Sequence, residues 1–319
     1  MLRVEVKFSH IVTGLANMWG MVHGNFGKQS LQTKGDLTPI NTTFYATSNA
    51  NNLVAHLSSI GEVLSTIEVP PPIGSENSSP TGLVRNDTKG FKFSYKGRSP
   101  IKAKLIVVTE KGQVLAWNPK ANSSFVQVYL AEDGAIYKDL ALAGEYLYAT
   151  DFFNGKVDVF DKDFNLQNRF SFVDPSGLPV NYKPFGIKSH DSVILVSYAV
   201  SGGDDDLRGN GFGVINAFDP ADGGFLRRLV NVGGNLNSPF GFAEIPKKGK
   251  GFLSGNFGDG QVGTYDDISG HQKAVLVDKR GKPIVIPGLW TLLTYKKYVY
   301  FVGGGFDEKS CVFGRIEFL

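Results

Sequence analysis

A short motif recurs about every 53 residues along this 319-residue chain, and its period constrains the fold more than any other sequence feature. In the clearest copies a proline and an aromatic residue precede a glycine, as in Pro184-Phe185-Gly186 and Pro239-Phe240-Gly241. A fixed period of this length is typical of repeat architectures in which each unit is one supersecondary motif. The chain is therefore predicted to contain six copies of one unit, anchored at Trp19, Thr81, Lys138, Phe185, Phe240 and Leu289.

A β-hairpin pattern follows each anchor. The third copy is the clearest, with strand-like Tyr146–Asp151 and Lys156–Phe160 joined by a turn that contains Asn154-Gly155, a strong hairpin signal. A fourth strand is predicted there over residues 166–172. Because helical patterns are nearly absent, the fold class is predicted to be all-β, a six-bladed β-propeller with four-stranded antiparallel blades. The six hairpins begin at Phe44, Leu105, Tyr146, Ile194, Phe252 and Tyr298.

The two ends of the chain complement each other. The sixth copy runs out of sequence at Leu319 before a fourth strand, whereas residues 4–8 form an unassigned strand ahead of the first anchor. Pairing of the two would complete the last blade and leave no open sheet edge at that point. Residues 1–319 are therefore predicted to form a single domain closed by the N-terminal strand.

The composition is that of a globular protein, with 42% hydrophobic residues, 39 glycines and a net charge of +3. This charge is too small to indicate nucleic-acid binding, and no RNA-binding motif is present. The lone cysteine, Cys311, permits neither an intramolecular disulfide nor a cysteine-based metal site, and it is expected to be a small apolar residue on a strand. No run of 18 apolar residues is present, so no transmembrane segment is predicted.

The N-terminal residues alternate between apolar and polar types and lack the apolar core of a signal peptide. Four glycosylation sequons, beginning at Asn41, Asn77, Asn86 and Asn122, would be acceptors in a eukaryotic secretory route, or they arise by chance in a chain rich in Asn, Ser and Thr. Two stretches interrupt the repeats. The proline run at residues 70–72 is interpreted as an excursion between blades, and residues 91–104 are expected to be a basic, solvated loop.

The stretch from Tyr148 to Asp161 (YATDFFNGKVDVFD) resembles an uncharacterised, mostly bacterial, secreted six-bladed propeller family related to the NHL-repeat proteins. Residues 112–119, 237–241, 255–260 and 282–290 resemble the same family in the same order. The resemblance implies a secreted or surface location but carries no settled activity. The chain departs from the family pattern before Trp19, where the connection is short, and in the insert at residues 91–104.

Propeller ligands usually bind over the central channel, which the innermost strands line, by analogy with other proteins of this fold. The anchors would be those strands, so candidate channel or ligand-binding residues are Trp19, Lys138, Phe185, Phe240 and Trp290. The alternative for the aromatic residues is packing between adjacent blades. Lys138 instead requires a solvated or paired position, because a lysine is seldom buried alone.

Two sets of oxygen-bearing residues are candidate sites for a hard metal ion. The acidic loop Asp204, Asp205 and Asp206, followed by Asn210, offers the ligands that Ca²⁺ prefers. Its spacing matches no EF-hand, and Arg208 could neutralise it instead. The turns that contain Asp151 with Asn154, and Asn256 with Asp259, form a second set, to which Asn49 and Asn52 would be related. Ordinary turn chemistry is the alternative for these residues.

Three functions follow from these observations. The first is a non-catalytic binding or scaffold propeller outside the cell or at a surface, with a protein, carbohydrate or small molecule as its partner. The second is a Ca²⁺-dependent, lactonase-like hydrolase or lyase, which would need several acids near the axis. Asp139 is the only acid within an anchor, so the sequence favours the first function over the second. The third is a structural component of a matrix or shell.

Overall fold

The computed structural model describes residues 2–24, 42–246, 250–305 and 307–319. In these ranges the regular elements are 26 β-strands, and no helix there is long and apolar enough to cross a membrane. In chain order the strands are β1 Leu2–Ile11, β2 Met18–His23, β3 Thr43–Ser48, β4 Leu53–Ser58, β5 Val63–Glu68, β6 Pro80–Arg85, β7 Lys92–Phe93, β8 Ile101–Lys102, β9 Leu105–Thr109, β10 Gln113–Trp117, β11 Val126–Leu130, β12 Tyr137–Ala143, β13 Tyr146–Asp151, β14 Lys156–Phe160, β15 Tyr182–His190, β16 Val193–Ser201, β17 Asp206–Leu207, β18 Val214–Phe218, β19 Phe225–Val230, β20 Pro239–Glu244, β21 Phe252–Asn256, β22 Val262–Tyr265, β23 Gln272–Val277, β24 Leu289–Tyr295, β25 Tyr298–Gly303 and β26 Val312–Phe318.

The described strands form six consecutive antiparallel groups, numbered here as blades 1 to 6. Blade 1 contains β2–β5, blade 2 contains β6 and β9–β11, blade 3 contains β12–β14, and blade 4 contains β15, β16, β18 and β19. Blade 5 contains β20–β23, and blade 6 contains β24–β26 with β1. The all-β prediction and the six hairpins after the anchors are therefore confirmed.

The six innermost strands, β2, β6, β12, β15, β20 and β24, form a closed ring. Each contacts the innermost strand of the next blade, and β24 contacts β2. This cyclic order of blades is that of a β-propeller, and it confirms that the anchors are the inner strands.

Every inner strand carries a β-bulge at the same place, which explains the repeated motif. The two residues inside each bulge are skipped in the pairing register with the second strand. The first is Trp19, Thr81, Lys138, Phe185, Phe240 or Trp290, and the second is Gly20, Gly82, Asp139, Gly186, Gly241 or Thr291. The second position lies against the next inner strand, since a Cβ at Gly186 would come 2.1 Å from the Phe240 oxygen. Glycine in four of the six copies permits this approach.

Buried hydroxyl groups link neighbouring blades. Thr47 Oγ1 donates to the Thr81 oxygen at 2.6 Å, and Thr150 Oγ1 donates to the Phe185 oxygen at 2.8 Å. At the junction of blades 6 and 1, Thr291 Oγ1 donates to the Trp19 oxygen at 2.6 Å. The inner ring is therefore held by hydrogen bonds between blades as well as by packing.

The N-terminal strand closes the ring as predicted. β1 pairs antiparallel with β26 from Val4↔Phe318 to Ile11↔Val312. It also pairs in parallel with β23 of blade 5, at Leu2↔Leu276 and Arg3↔Val277, which the sequence did not indicate. This strand thus joins blades 5 and 6 into one eight-stranded sheet.

Two local predictions were wrong. Residues 166–172 make a single bridge, Phe160↔Leu166, instead of a fourth strand in blade 3. The chain then crosses to blade 4, where Phe172 N donates to the Gly223 oxygen and the Phe172 ring packs 5.1 Å from that of Phe218. Burial of this aromatic side chain replaces the strand pairing.

The insert at residues 91–104 is an exposed loop only at its tip, residues 94–100; the prediction of a solvated loop was wrong for its base, which is a short ribbon with a buried face. β7 pairs with β8, and the flanking Phe91 and Phe93 are buried. The Phe91 ring packs edge-on against Phe164 of blade 3, 5.4 Å away. The insert therefore belongs to the hydrophobic core between blades 2 and 3.

Candidate functional site

Aromatic side chains fill one end of the central channel. Trp290 stacks between Trp19 at 3.6 Å and Phe257 at 3.8 Å, and Phe240 packs edge-on against Trp290 at 4.9 Å. We call this cluster the aromatic plug; it comprises Trp19, Phe152, Phe185, Phe240, Phe257 and Trp290, all at most 3% exposed, with Ala199. The four aromatic residues predicted to lie near the axis are thus brought together, and they are buried against one another.

Lys138 lies beside the plug in a fully paired environment. Its Nζ is 5.2 Å from the centre of the Trp19 ring and forms ion pairs with Glu110 at 2.5 Å and Asp205 at 2.8 Å. Burial alone would lower the pKa of this ammonium, but the two carboxylates outweigh burial and raise the pKa. The paired position that the sequence required for Lys138 is therefore met by two acids from other blades.

Further polar groups cover the plug. The Trp290 indole N–H donates to Asn17 Oδ1 at 2.9 Å, and Asn17 Nδ2 donates to Glu308 at 3.3 Å. Glu308 also pairs with Arg208 at 2.5 Å, whose guanidinium lies 4.3 Å from the Phe257 ring centre. This end of the channel is consequently closed by packing and by hydrogen bonds.

The opposite half of the channel is a cavity of about 450 Å³, which we call the central well. All six inner strands contribute to its wall, each with residues that follow the first residue of its bulge. Blades 1 to 4 provide ionisable groups, including His23, Arg85, Asp139 and Lys188, whereas blades 5 and 6 provide apolar or neutral ones such as Phe242 and Leu293. The well therefore has an ionisable side and an apolar side.

Asp139 occupies the bulge position that is glycine in four blades, and it is among the residues that line the well. Oδ1 accepts a hydrogen bond from Leu140 N at 2.8 Å, and Oδ2 accepts one from Ile187 N of blade 4 at 3.0 Å. Burial raises its pKa to about 7, although these two amides and the ammonium of Lys188 act in the opposite direction. Asp139 thus bridges two blades and titrates near neutral pH.

The remaining ionisable groups of the well differ in their pairing. Burial and the adjacent Arg85 lower the pKa of His23 to about 4, so this imidazole is neutral at pH 7. Arg85 contacts His23 Nδ1 at 2.6 Å and pairs with Asp87 at 2.5 Å. Lys188 is half-buried and has no ion-pair partner among the described residues.

The three carboxylates of the acidic loop predicted as a calcium site have different environments, and one of them pairs with a cation of the protein. Asp205 pairs with Lys138, and Arg208 pairs with Glu308 rather than with the loop. Burial raises the pKa of Asp206, against the effects of Ser238, Arg208 and Lys138. Asp204 is exposed, and Asn210 lines a separate cavity with Asn256 and Asp259. The four residues therefore do not converge on one point.

The carboxylates of Asp151 and Asp259 stabilise their own turns, whereas Asn49 and Asn52 bond to other segments of the chain. Asp151 accepts hydrogen bonds from Asn154 N at 3.1 Å and Asn154 Nδ2 at 2.7 Å, and Asp259 Oδ1 accepts one from Gln261 N at 2.9 Å. In blade 1, Asn52 Oδ1 accepts hydrogen bonds from the backbone after the proline run, including Ser78 N at 2.9 Å. Asn49 Nδ2 donates to Glu110 at 3.1 Å.

One group of three possible metal ligands exists in the described part of the chain, and it lies away from the axis. It comprises His190, Asp191 and Asp267. Both ring nitrogens of His190 already contact carboxylates, Glu244 at 2.8 Å and Asp267 at 2.9 Å. Although burial opposes protonation, these acids raise the pKa of His190 to about 9, so at neutral pH the protonated ring links blades 4 and 5.

The structure shows the environment of Cys311 and of the glycosylation sequons. Cys311 is buried one residue before β26, and burial raises the pKa of its thiol to about 12. In the sequon at Asn86, the asparagine side chain is buried, and its Nδ2 donates to the Gly90 and Ala103 oxygens. Asn77 is exposed and Asn122 is half-buried, whereas the sequon at Asn41 lies outside the described residues. Asn86 is therefore a structural asparagine in the folded chain.

No family model matches this chain. Its sequence is 32% identical over 232 residues to an uncharacterised protein, R648, of Acanthamoeba polyphaga mimivirus, covering 68% of this chain and 57% of that protein. A second mimivirus protein, L690, is 28% identical over 300 residues, covering 89% of this chain and 75% of that protein. The chain spans about half the length of R648 and of a third relative, R640. These relatives are viral, so the bacterial affiliation stays a prediction.

Solved structures similar to this chain are β-propellers. A catalytically inactive virginiamycin B lyase from Staphylococcus aureus with quinupristin superposes with a TM-score of 0.59 at 10% identity, covering all of both chains. A glucose dehydrogenase gives 0.58 at 11% identity over 97% of this chain and 98% of that one. A chain of a nidogen/laminin complex gives 0.54 at 14% identity over 79% and 82%. At these identities the similarity establishes the NHL-like propeller fold alone.

Proposed function

We propose that residues 1–319 act as one non-catalytic binding propeller and that its ligand is a small molecule that carries an anionic group and binds in the central well. The observation that carries this proposal is Lys188, a half-buried ammonium in the well with no ion-pair partner among the described residues. A charge held in a cavity of low dielectric attracts an opposite charge more strongly than it would in water.

The apolar side of the well supports the same proposal. Phe242 and Leu293 lie opposite the ionisable blades, so a ligand with an apolar body and one acidic group matches both sides. A volume of about 450 Å³ is within the range of small-molecule sites, about 300–1,000 Å³. An extracellular or surface location is also proposed, and the resemblance to secreted propellers supports it.

Thermal unfolding of the full chain with matched acid and amide probes tests the proposal. We expect hexanoate or benzoate to raise the unfolding midpoint, because a ligand that binds only the folded state stabilises it, and hexanamide or benzamide to raise it less. The effect of the acid should be lost in Lys188→Met and kept in Lys111→Met, an exposed lysine outside the well. Equal shifts with acid and amide, or no shift with any probe, would contradict anion binding in the well.

A second candidate function is acid–base catalysis at the same place. The observation that favours it is the pKa of about 7 for Asp139, because a general acid or base works best when its pKa is near the working pH. A lactone or ester with room in the well could then be cleaved by hydrolysis or elimination.

Assays with γ-butyrolactone and phenyl acetate test this alternative. Turnover that is lost in Asp139→Asn and kept in Asp133→Asn, an exposed acid outside the well, would make the chain an enzyme. The same substrates with and without Ca²⁺ distinguish a metal-dependent reaction from one that Asp139 performs alone.

A further inference from the structure

A second polar pocket lies between blades 4 and 5, apart from the central well. Its volume is about 210 Å³. Its wall brings together residues that sequence reasoning had placed in two different sets, because Asn210 follows the acidic loop and Asn256 and Asp259 belong to the turn after β21. The polar side chains of the lining are Asn210, Asn235, Asn256, Asp259, Gln261, Tyr265 and Gln272.

A buried hydrogen-bond acceptor in this wall has no donor. Asn256 is 5% exposed, and its Nδ2 donates to the Asn235 oxygen at 3.0 Å. The Asn235 carbonyl oxygen can only accept a hydrogen bond, so the side-chain nitrogen of Asn256 must face it. This fixes the orientation of the Asn256 amide and leaves its Oδ1 atom without this contact. Asn256 Oδ1 has no hydrogen-bond partner among the described residues, which is unfavourable for a buried polar atom.

The chemistry of the lining favours a neutral ligand with several hydroxyl groups. Five of the seven polar side chains are amides, which both donate and accept, as a hydroxyl does. Asp259 is the only carboxylate in the wall, whereas a Ca²⁺ site would collect six to eight oxygen ligands with several negative charges. The amide N–H groups would be of no use to a cation.

Tyr265 and Gly263 shape the bottom of the pocket. Burial, together with nearby Asp259, raises the pKa of the Tyr265 hydroxyl, which therefore remains a proton donor. A Cβ at Gly263 would come 2.8 Å from this hydroxyl and 2.9 Å from Gln272 Nε2. The glycine thus leaves space in which two polar groups from different strands approach the same point.

We propose that this pocket binds a single neutral sugar ring. Its volume corresponds to about seven water molecules at ~30 Å³ each, which limits a fully enclosed ligand to about one ring. Alternate hydroxyls of the sugar would accept from the amide N–H groups and donate to the amide oxygens of Asn210 and Gln261 and to the Asp259 carboxylate. The pocket is separate from the central well, so it does not depend on the ligand proposed there.

Saturation-transfer NMR on the full chain tests the proposal with methyl glycosides of glucose, galactose, mannose and N-acetylglucosamine. We expect saturable binding of at least one of them, weakened about tenfold by Gln261→Ala and by Asn210→Ala. The side chains of both residues form no hydrogen bond to other described residues, so neither substitution should alter folding. Asn168→Ala, at an exposed position outside the pocket, is the matched control and should bind normally.

Three results would overturn the proposal. The first is that none of the four glycosides binds. The second is that the sugar binds equally well to the two pocket variants and to the control. The third is that Ca²⁺ binds in place of the sugars and is lost in Asp259→Asn, which would make the pocket a cation site.

Discussion

The indole rings of Trp19 and Trp290 stack with their centres 3.6 Å apart and their planes inclined by 19°, across the junction between the first and last blades. The two residues are 271 positions apart in the chain, so the stack forms only once the ring is complete. The hydrogen bond from Thr291 Oγ1 to the Trp19 oxygen lies beside it. Stacking of these two indole rings in the aromatic plug therefore requires that the first and last blades are joined.

Trp290→Ala is expected to lower the free energy of unfolding by about 3–5 kcal/mol, the usual cost of removing a fully buried large aromatic side chain. The substitution leaves a cavity between Trp19 and Phe257 and removes the donor to Asn17 Oδ1. Denaturant unfolding followed by circular dichroism measures the change. Phe153→Ala is the control, because this ring is half exposed, and equal losses in the two variants would contradict a structural role for the plug.

Deletion of residues 1–9 is expected to lower the unfolding midpoint sharply, because β1 completes blade 6 and also pairs with blade 5. Val4, which lies fully buried in the core between these blades, is lost with it. Differential scanning calorimetry measures the midpoint. A synthetic peptide of residues 2–11 should restore part of the loss when it is added in excess. A truncated chain that melts like the full chain would show that the ring does not depend on this strand.

Stability should depend on pH through His190. Its folded-state pKa of about 9 lies above the unfolded value of 6.5, so its contribution is complete below pH 6.5 and is lost as pH rises through 9. The free-energy difference between the wild type and His190→Gln should therefore be larger at pH 6 than at pH 9.5.

Urea unfolding of both proteins at the two pH values measures this difference, and His271→Gln, at an exposed position, is the control. A difference that stays constant between pH 6 and pH 9.5 would mean that His190 is not protonated between Glu244 and Asp267.

Chelation with EDTA is expected to leave the thermal midpoint unchanged. The acidic loop would be the first place to look for Ca²⁺, but Asp205 already pairs with Lys138, and Asn210 faces another cavity. Thermal unfolding with EDTA and then with added Ca²⁺ makes the comparison. If EDTA lowers the midpoint and Ca²⁺ alone restores it, a metal site exists that the pairing of these residues does not explain.

The architecture was predictable because its signals are local and repeated. The glycine of the motif marks a bulge where the next blade approaches closely, and the Asn154-Gly155 turn marks a hairpin, so each copy repeats the same indication. The fourth strand of blade 3 could not be predicted in this way. There, burial of Phe172 against Phe218 prevails over strand pairing, and that competition depends on a neighbouring blade.

The candidate site was harder to predict from the sequence than the architecture. Four of the aromatic plug residues were predicted to lie near the axis, and Phe152 and Phe257 were not. Whether such residues line an open channel or fill it depends on how six side chains from five blades fit together. Asp139 did carry a signal, since it replaces the glycine of the motif. Its raised pKa arises from burial, and its position between two blades is fixed by the Ile187 amide of the next blade; no local pattern indicates either.

The shared edge of β1 and β26 also fixes where the chain enters and leaves the ring. Leu319 N donates to the Arg3 oxygen at 3.2 Å, and the terminal Leu2 and Leu319 are both exposed. A segment preceding Leu2 and a segment following Leu319 would leave the outer rim of blade 6 about one strand spacing, ~5 Å, apart. Two tethers attached in this way would share one anchoring point and leave both faces of the ring uncovered.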